Sequence, residues 1–488
     1  MGMFGVQMED SGQHKVHGVS NQKSNNVVEI SGVDQQQLIC DNVVISIEKM
    51  LDQVPSAQEK QCSIYRVPKQ LCEMNPKAYA PQLISIGPFY YHAHKNLIAN
   101  EQYKLQGFNN FLHRVNKMSL EQQERTRSLN DLVKKAQSWV KEARNCYAES
   151  INMNDEDFIK MMLVDGCFIV EFFILDYEEY KEPHESLFPQ IENNVSMSFY
   201  KERIPDIDDD LIKLENQLPF FVLQHLFDLI PKHNDNPNCF KQLTYKYLNM
   251  GWLENYEPSD ILSIKPKHFI DFLSFYFVPH HRCEHDQESS DMKEWNVIIP
   301  PSITELCEAG VTIKKAENTK CLMNIRFENG ILEIPPLHID DYFEPMMRNL
   351  LAFEHFPVEV NNTYVIPYVT FMDYLISTEK DVNLLVKEKI IINDIGGSDR
   401  EVSQLFNNLC KFVSSSPNDN YFNNISEGLR EHCDRWWNKA KASLKHNYFN
   451  TPWAAISFSA ATVLLVLTIL QTVFSAISAF PKSKPDIP

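Results

Sequence analysis

Residues 158–175 read FIKMMLVDGCFIVEFFIL, a stretch apolar nearly all round a helix but broken by Lys160, Asp165 and Glu171. A charge near a bilayer centre costs about 2.5–3.5 kcal/mol, so three of them argue against a membrane span. A helix apolar on every side must instead be wrapped by other elements of a soluble core. The stretch therefore predicts a buried central helix and a mainly helical body around it.

The flanks fit that reading. Residues 101–148 look helical, with Phe108, Phe111, Leu112 and Val115 on one face. Upstream, Pro68, Pro76, Pro81 and Pro88 forbid one long helix, because proline lacks the N–H and disfavours a helical residue before it. An extended segment packing Tyr79, Leu83, Ile84 and Ile86 against the body is expected there. Downstream, residues 176–207 are acidic and loop-like. The acids at 206–210 suit a helix start, and Pro219 ends that helix and opens the next. Residues 231–300 read as a variable insert around one helix at 268–277.

Ser302 with Glu305 forms a capping-box pattern, and Gly310 stops the short helix. Strands are expected at 311–314, 321–327 and 331–334, with Asn329-Gly330 as a two-residue hairpin turn. Pro335-Pro336 closes this single β region. Helices then return, including one at 368–376, one capped by Thr378, and one behind a second capping box, Ser398 with Glu401. The last carries the stripe Val402, Leu405, Phe406 and Leu409. At the other end, residues 1–37 are polar and expected to be disordered. Apolar Val44, Ile47, Met50 and Leu51 predict a short amphipathic helix over 41–51. The fold class is mainly α with a small β-hairpin or sheet region (α+β), plus one C-terminal transmembrane helix.

That last helix is residues 453–480, without one Asp, Glu, Lys, Arg or His. About 20 apolar residues cross a bilayer core as a helix. The span narrows to about 456–474, with Trp453 near one interface and Ile456, Leu464, Leu465, Leu467, Ile469 and Phe474 facing lipid. Arg435, Lys439, Lys441 and Lys445 precede it, while Lys482 and Lys484 follow. The positive-inside bias places the body in the cytosol. No secretory signal opens the sequence, so insertion after synthesis is expected. The organisation is thus a body over 38–430, a basic juxtamembrane helix over 431–452, the anchor, and a tail over 481–488. The membrane is either the plasma membrane or an endomembrane. Ala455 and Ser459 could let a partner helix approach, so a homo-oligomer is possible.

The 488 residues carry a net charge of −19, which argues against nucleic acid as a partner. Eleven cysteines without a CxxC pair suit reduced, mostly buried thiols. Asp165, Glu171 and Glu215 have two readings. They serve acid–base chemistry, or they hold helix ends and pair with cations. The second is preferred, because no nucleophile, His or phosphate loop accompanies them. His280, His281, Cys283 and His285 cluster in a polar insert without a second ligand pair, so no metal is expected. No cofactor-binding or catalytic signature is present.

Six stretches in order resemble a plant family known as domain of unknown function 247. They are the segment around Val67-Pro-Lys-Gln-Leu, Asn75-Pro-Lys-Ala-Tyr and Ile84-Ser-Ile-Gly-Pro; Asp165-Gly166 through Glu171; Leu214-Glu215-Asn216-Gln217-Leu-Pro219; Ser302-Ile-Thr-Glu; Arg348-Asn349 through Glu354; and Tyr448-Phe-Asn-Thr-Pro-Trp453. The resemblance implies a land-plant protein with one C-terminal anchor and no established enzymatic activity. Some grass members are implicated in self-incompatibility, a recognition role. Phe89-Tyr90-Tyr91-His92 departs from the family's usual Tyr-His-His-Gly run, which puts a turn there in question. The expected function is protein–protein recognition or signalling from a membrane, with an unknown protein partner. The rival is a membrane-tethered enzyme using Asp165, Glu171 or Glu215. An inverted topology with oxidised cysteines is the third reading.

Overall fold

The computed structural model describes residues 32–52, 62–93, 95–116, 122–179, 197–231, 239–248, 261–279, 298–317, 319, 321–356, 363–411, 419–435 and 452–479. The chain divides into two units, Met1–Lys60 and Gln61–Pro488. In the first, helix α1 spans Gly32–Asp52. It begins well ahead of the expected residue 41, because Gln35, Gln36 and Gln37 are good helix formers that extend the apolar pattern backwards. The rest of the expected disordered stretch lies outside the described residues.

The second unit opens with α2 (Lys69–Met74), α3 (Lys95–Ala99), α4 (Glu101–Val115), α5 (Gln122–Asn145) and α6 (Asp155–Glu179). The helical region expected over 101–148 is made of two helices, the first capped at Asn116. The extended segment is interrupted by α2 and a 3₁₀ turn, Pro76–Ala78, but Tyr79, Leu83, Ile84 and Ile86 are buried as expected. Helix α6 carries the sequence read first. From Phe158 to Tyr177 only Lys160 is exposed. α4 and α5 pack against it, as do α8 (Phe220–Phe227) and α9 (Phe240–Leu248), which follow α7 (Ile204–Leu211).

The region expected to be loop over 176–207 contains the end of α6 and 3₁₀ turns at Met197–Phe199 and Lys201–Arg203. Helix α7 stops at Leu211 rather than at Pro219, and Pro219 is the N-cap of α8 rather than its first helical residue. The reason is local competition. Asn216 Nδ2 donates to the Asp210 carbonyl, and Gln217 Nε2 to those of Leu211 and Lys213, so side chains take the carbonyls a longer helix would use. The helix expected at 268–277 is α10 (Phe269–Ser274) plus a 3₁₀ turn, Phe275–Phe277.

Helix α11 (Ile303–Ala309) has the expected Ser302–Glu305 capping box and a left-handed Gly310 cap. Strands β1 (Thr312–Lys315), β2 (Arg326–Glu328) and β3 (Ile331–Ile334) form a sheet in the order β1-β3-β2. β3 runs parallel to β1 and antiparallel to β2. Asn329 and Gly330 both have positive φ, as the hairpin requires. β2 is shorter than expected, because residues 321–325 turn inward to bury Leu322, Met323 and Ile325. Pro335-Pro336 does not end the β region. β4 (Leu337–Ile339) follows at once, then α12 (Phe343–Glu354), α13 (Val365–Leu375), α14 (Glu379–Lys387) and β5 (Ile391–Asn393), which pairs parallel with β4. Three-residue strands are too short for a period-two pattern to show.

Helix α15 (Asp399–Leu409) buries the expected stripe, but the Ser398 hydroxyl makes no cap bond. There the Glu401 carboxylate leans against Gly397 instead of closing the box. α16 (Asn423–Asp434) precedes α17 (Pro452–Ala479). Within α17, Ile456–Ala476 has a mean hydropathy of 2.0 and none of it is buried, so the helix is long and apolar enough to cross a membrane. Trp453, Ile456, Leu464, Leu465, Leu467, Ile469 and Phe474 are all exposed. Thr462 and Thr472 donate their hydroxyls to the carbonyls of Phe458 and Thr468. The basic run past Arg435, with Trp436 and Trp437, lies outside the described residues, as do His280–His285.

Two helical glycines give opposite expectations. A Cβ on Gly107 of α4 would sit 2.9 Å from the Phe168 ring and 3.0 Å from its Cα, whereas one on Gly428 of α16 would meet Phe327 at 3.4 Å. Gly107→Ala should lose about 1–3 kcal/mol by overpacking. Gly428→Ala should gain about 0.5–1 kcal/mol from helix propensity. Thermal melts of the two variants should move in opposite directions.

Candidate functional site

Residues 83–87 pass through the interior in neither a helix nor a strand. Buried backbone N–H and C=O groups must still be paired, and here side chains do it. The Asp210 carboxylate accepts from the N–H groups of Gln82 and Leu83 at 2.7 Å and of Ile84 at 2.8 Å. Asn216 Oδ1 accepts from Ile86 N at 2.7 Å and Asp165 from Gly87 N at 2.9 Å. In return, Leu83, Ile84 and Ser85 carbonyls accept from Asn100, Asn216 and Lys104. Gly87 has φ of +74°, and a Cβ there would lie 2.4 Å from the Gln217 carbonyl.

Glu215, Gln217, Asn349, Arg348, Glu354 and Gly166 have places near this segment or at helix junctions. Glu215 accepts from Val67 N at 2.8 Å, Arg66 at 2.9 Å and the Tyr90 hydroxyl at 3.1 Å. Gln217 accepts from Phe269 N, and its own carbonyl accepts from the Tyr147 hydroxyl. Asn349 accepts from Leu214 N and donates to the Ala78 and Pro345 carbonyls. Its neighbour Arg348 pairs with Glu344 at 2.7 Å. Glu354 accepts from three successive N–H groups, Tyr364, Val365 and Ile366, and so caps the start of α13. A Cβ on Gly166 would meet Leu226 at 2.5 Å, which fixes the closeness of α6 to α8.

The two acids that break the apolar run of α6 each meet a cation from α4. Asp165 pairs with Lys104 at 2.7 Å and Glu171 with Arg114 at 2.8 Å, all four side chains being buried. Arg114 continues to Glu178 at 2.7 Å. Burial pushes Asp165 up to about 6 against the pull of Lys104 and the Gly87 N–H. Burial likewise pushes Glu171 up to about 7, opposed by Arg114. Burial would lower Lys104, but Asp165 and Glu101 beside it outweigh that and raise it. Asp165, Glu171 and Glu215 are thus committed to separate cation and backbone partners.

Sequence reading missed Asp210, Lys213, Lys104, Arg114 and His268. Lys104 and Arg114 sit on the stripe of α4 that holds Gly107 and Phe111, and cations on an apolar stripe were the available signal. Lys213, fully buried, pairs with Asp209 and Asp210. His268 Nε2 donates to the Ser63 carbonyl, and its Nδ1 accepts from Asp271 N. Nδ1 as acceptor places the proton on Nε2. Burial holds this imidazole down to about 3, so it stays neutral. None of the ten described cysteines is in a disulfide. No group of three metal-ligating side chains occurs among the described residues.

The departure at residues 89–92 resolves simply. His92 stands where the family's run has Gly, and it adopts φ of +54°. A left-handed conformation costs about 1–2 kcal/mol for a residue with a Cβ. His92→Gly should recover up to about 1 kcal/mol in urea unfolding. A loss would show that the Tyr91–His92 ring contact outweighs the backbone cost.

Asp210→Ala should lose about 3–5 kcal/mol, because three N–H groups, two of them buried, lose their acceptor and Lys213 loses one of its two acids. Asp206→Ala, four residues earlier and half exposed, should stay within about 0.5 kcal/mol. Equal losses in denaturant titration would refute the role given to Asp210.

Asp208 of α7 accepts from the Tyr247 hydroxyl. Burial pushes this acid up to about 7; Tyr247 lowers it, while Asp176 and Asp209 add to the rise. Its unfolded value is about 3.9. A raised folded value gives stability that is full below about 4 and lost as pH rises through about 7. Asp208→Asn should flatten that part of the stability curve between pH 4 and 7. An unchanged slope would refute it.

No solved structure matches the chain. It is 29% identical to the UPF0481 protein At3g47200 of Arabidopsis thaliana over 441 residues, which cover 87% of this chain and 88% of that one. It is 24% identical to the putative UPF0481 protein At3g02645 of the same plant, over 90% of this chain and 95% of the other. The family model described as a plant protein of unknown function, DUF247, matches residues 64–467. That match takes in the extended segment, both buried ion pairs, the amide network and most of α17, and the chain belongs to the DUF247 family.

Proposed function

We propose that the chain is a single-pass membrane protein that holds its acidic body on the cytosolic face and acts by binding another protein, without catalysis. The observation that carries this is α17, whose window Ile456–Ala476 is wholly unburied and apolar enough to span. A helix of that kind has no favourable home in water, and lipid supplies one. The basic residues Lys439, Lys441 and Lys445 ahead of it favour the cytosolic side. The net charge of −19 supports a protein partner over nucleic acid. Recognition over catalysis is supported by Asp165, Glu171 and Glu215, the acids an enzyme reading needs, since each already serves the core.

Sealed vesicles carrying the full chain test the topology. External protease should digest the body without detergent, and deletion of 456–476 should move the protein to the soluble fraction. A protected body would overturn the cytosolic assignment. Membrane retention after the deletion would overturn the anchor.

A further inference from the structure

Gln471 is the longest polar side chain in the apolar window Ile456–Ala476 of α17, and it lies five residues beyond the window's midpoint. At 1.5 Å per residue that is about 7.5 Å from the centre of a bilayer core about 30 Å thick, well inside the hydrocarbon. Side chains on a helix tilt toward its N-terminus. The amide therefore leans toward the middle of the bilayer and away from the nearer headgroups. The hydroxyls of Thr462, Thr468 and Thr472 are spent on carbonyls of their own helix. Gln471 makes no such bond among the described residues, and an amide left unpaired in hydrocarbon is unfavourable. We propose that a second copy of this chain supplies the partner, two α17 helices pairing in parallel with each Gln471 hydrogen-bonded to its twin. This rests on the anchoring reading above.

The chain's own body offers no partner inside the bilayer, since among the described residues α17 is the one helix long and apolar enough to cross it. An amide carries donors and an acceptor together, so Gln471 is complementary to itself. Copies anchored the same way hold it at the same depth, and in a two-fold pair a residue on the contact meets its twin.

The residues in line with Gln471 fit such a contact. Ser457, Ala461, Leu464, Thr468, Gln471 and Ser475 follow one another at alternating steps of four and three, the spacing of a left-handed helix pair. Only Leu464 among them is bulky, and small residues let two backbones approach until side-chain amides meet across the seam. Val463, Val466, Leu470 and Val473 fall on the far side, where lipid suits them. Ala455 and Ser459 fall on that far side as well, so they are not part of this contact. A helix of another protein would need a polar group at this one depth on an equally small seam; the copy has both.

The test uses the full chain, labelled at its N-terminus with donor or acceptor dye, in phosphatidylcholine vesicles. Energy transfer should exceed that of randomly placed labels, fall on dilution with lipid, and be lost on adding unlabelled wild type. Gln471→Leu should weaken the pairing about threefold or more, and Gln471→Asn, which keeps an amide, should recover part of it. Ala461→Leu, which fills the seam, should weaken it, whereas Ser459→Leu should not. A Gln471→Leu chain that pairs like wild type overturns the proposal. So does a Ser459→Leu chain that unpairs while Ala461→Leu stays paired. Flotation of the same vesicles reads the anchor separately. A wild-type chain that floats but shows only chance transfer overturns the pairing alone. One that does not float overturns the anchor, and the pairing with it.

Discussion

A buried segment that lies in neither helix nor strand is the constraint on which this fold turns. Each of its amide groups would cost on the order of 1–3 kcal/mol if left unpaired. Sheets solve that problem with another backbone. This protein solves it with Asp210, Asn216, Asp165, Lys104 and Asn100, drawn from α7, the turn after it, α6 and the region of α4. The arrangement accounts for the motif Leu214-Glu-Asn-Gln-Leu-Pro in one stroke. Asn216 holds the segment itself, Glu215 holds Val67 and Arg66 ahead of it, and Gln217 ties the end of α7 to the start of α10.

The ion pairs of α4 with α6 follow from the same geometry. Lys104–Asp165 is both a charge pair and part of the segment's hydrogen bonding, since Asp165 also takes Gly87 N–H. Arg114 with Glu171 and Glu178 extends the line along α6. Buried pairs often add little net stability over apolar packing, but losing one partner is expensive. Together with Gly107 and Gly166, which let neighbouring helices approach α6 closely, they leave one way to seat it.

Much of this was legible. The central helix could be read from 158–175 because length and uniform apolarity outweigh three charges. The hairpin at Asn329-Gly330 and the cap at Ser302 were readable because their chemistry is local. The β4–β5 pair was not: Leu337–Ile339 and Ile391–Asn393 are too short for a pattern and meet only through the folded chain. The early end of α7 was hidden too, since Asp206–Leu211 and Lys213–Leu218 look alike as helix until Asn216 and Gln217 turn back on the carbonyls. Asp165, Glu171 and Glu215 stood out as anomalies in the sequence. Their partners Lys104, Arg114 and Arg66 did not, because pairing across 57 to 149 residues leaves no sequence spacing to read.

That separation has a consequence in time. Ile86 waits for an acceptor 130 residues further on, and Gly87 for one 78 residues on. At about 5–20 residues per second on the ribosome, the segment is out for several seconds before its partners exist. An exposed run such as Leu-Ile-Ser-Ile is then a ready template for strand-on-strand aggregation. Pro81 and Pro88 bracket it, and proline at the ends of such a run blocks pairing with a stray strand. The residues that first ruled out a helix thereby guard the nascent chain until Asp210 arrives.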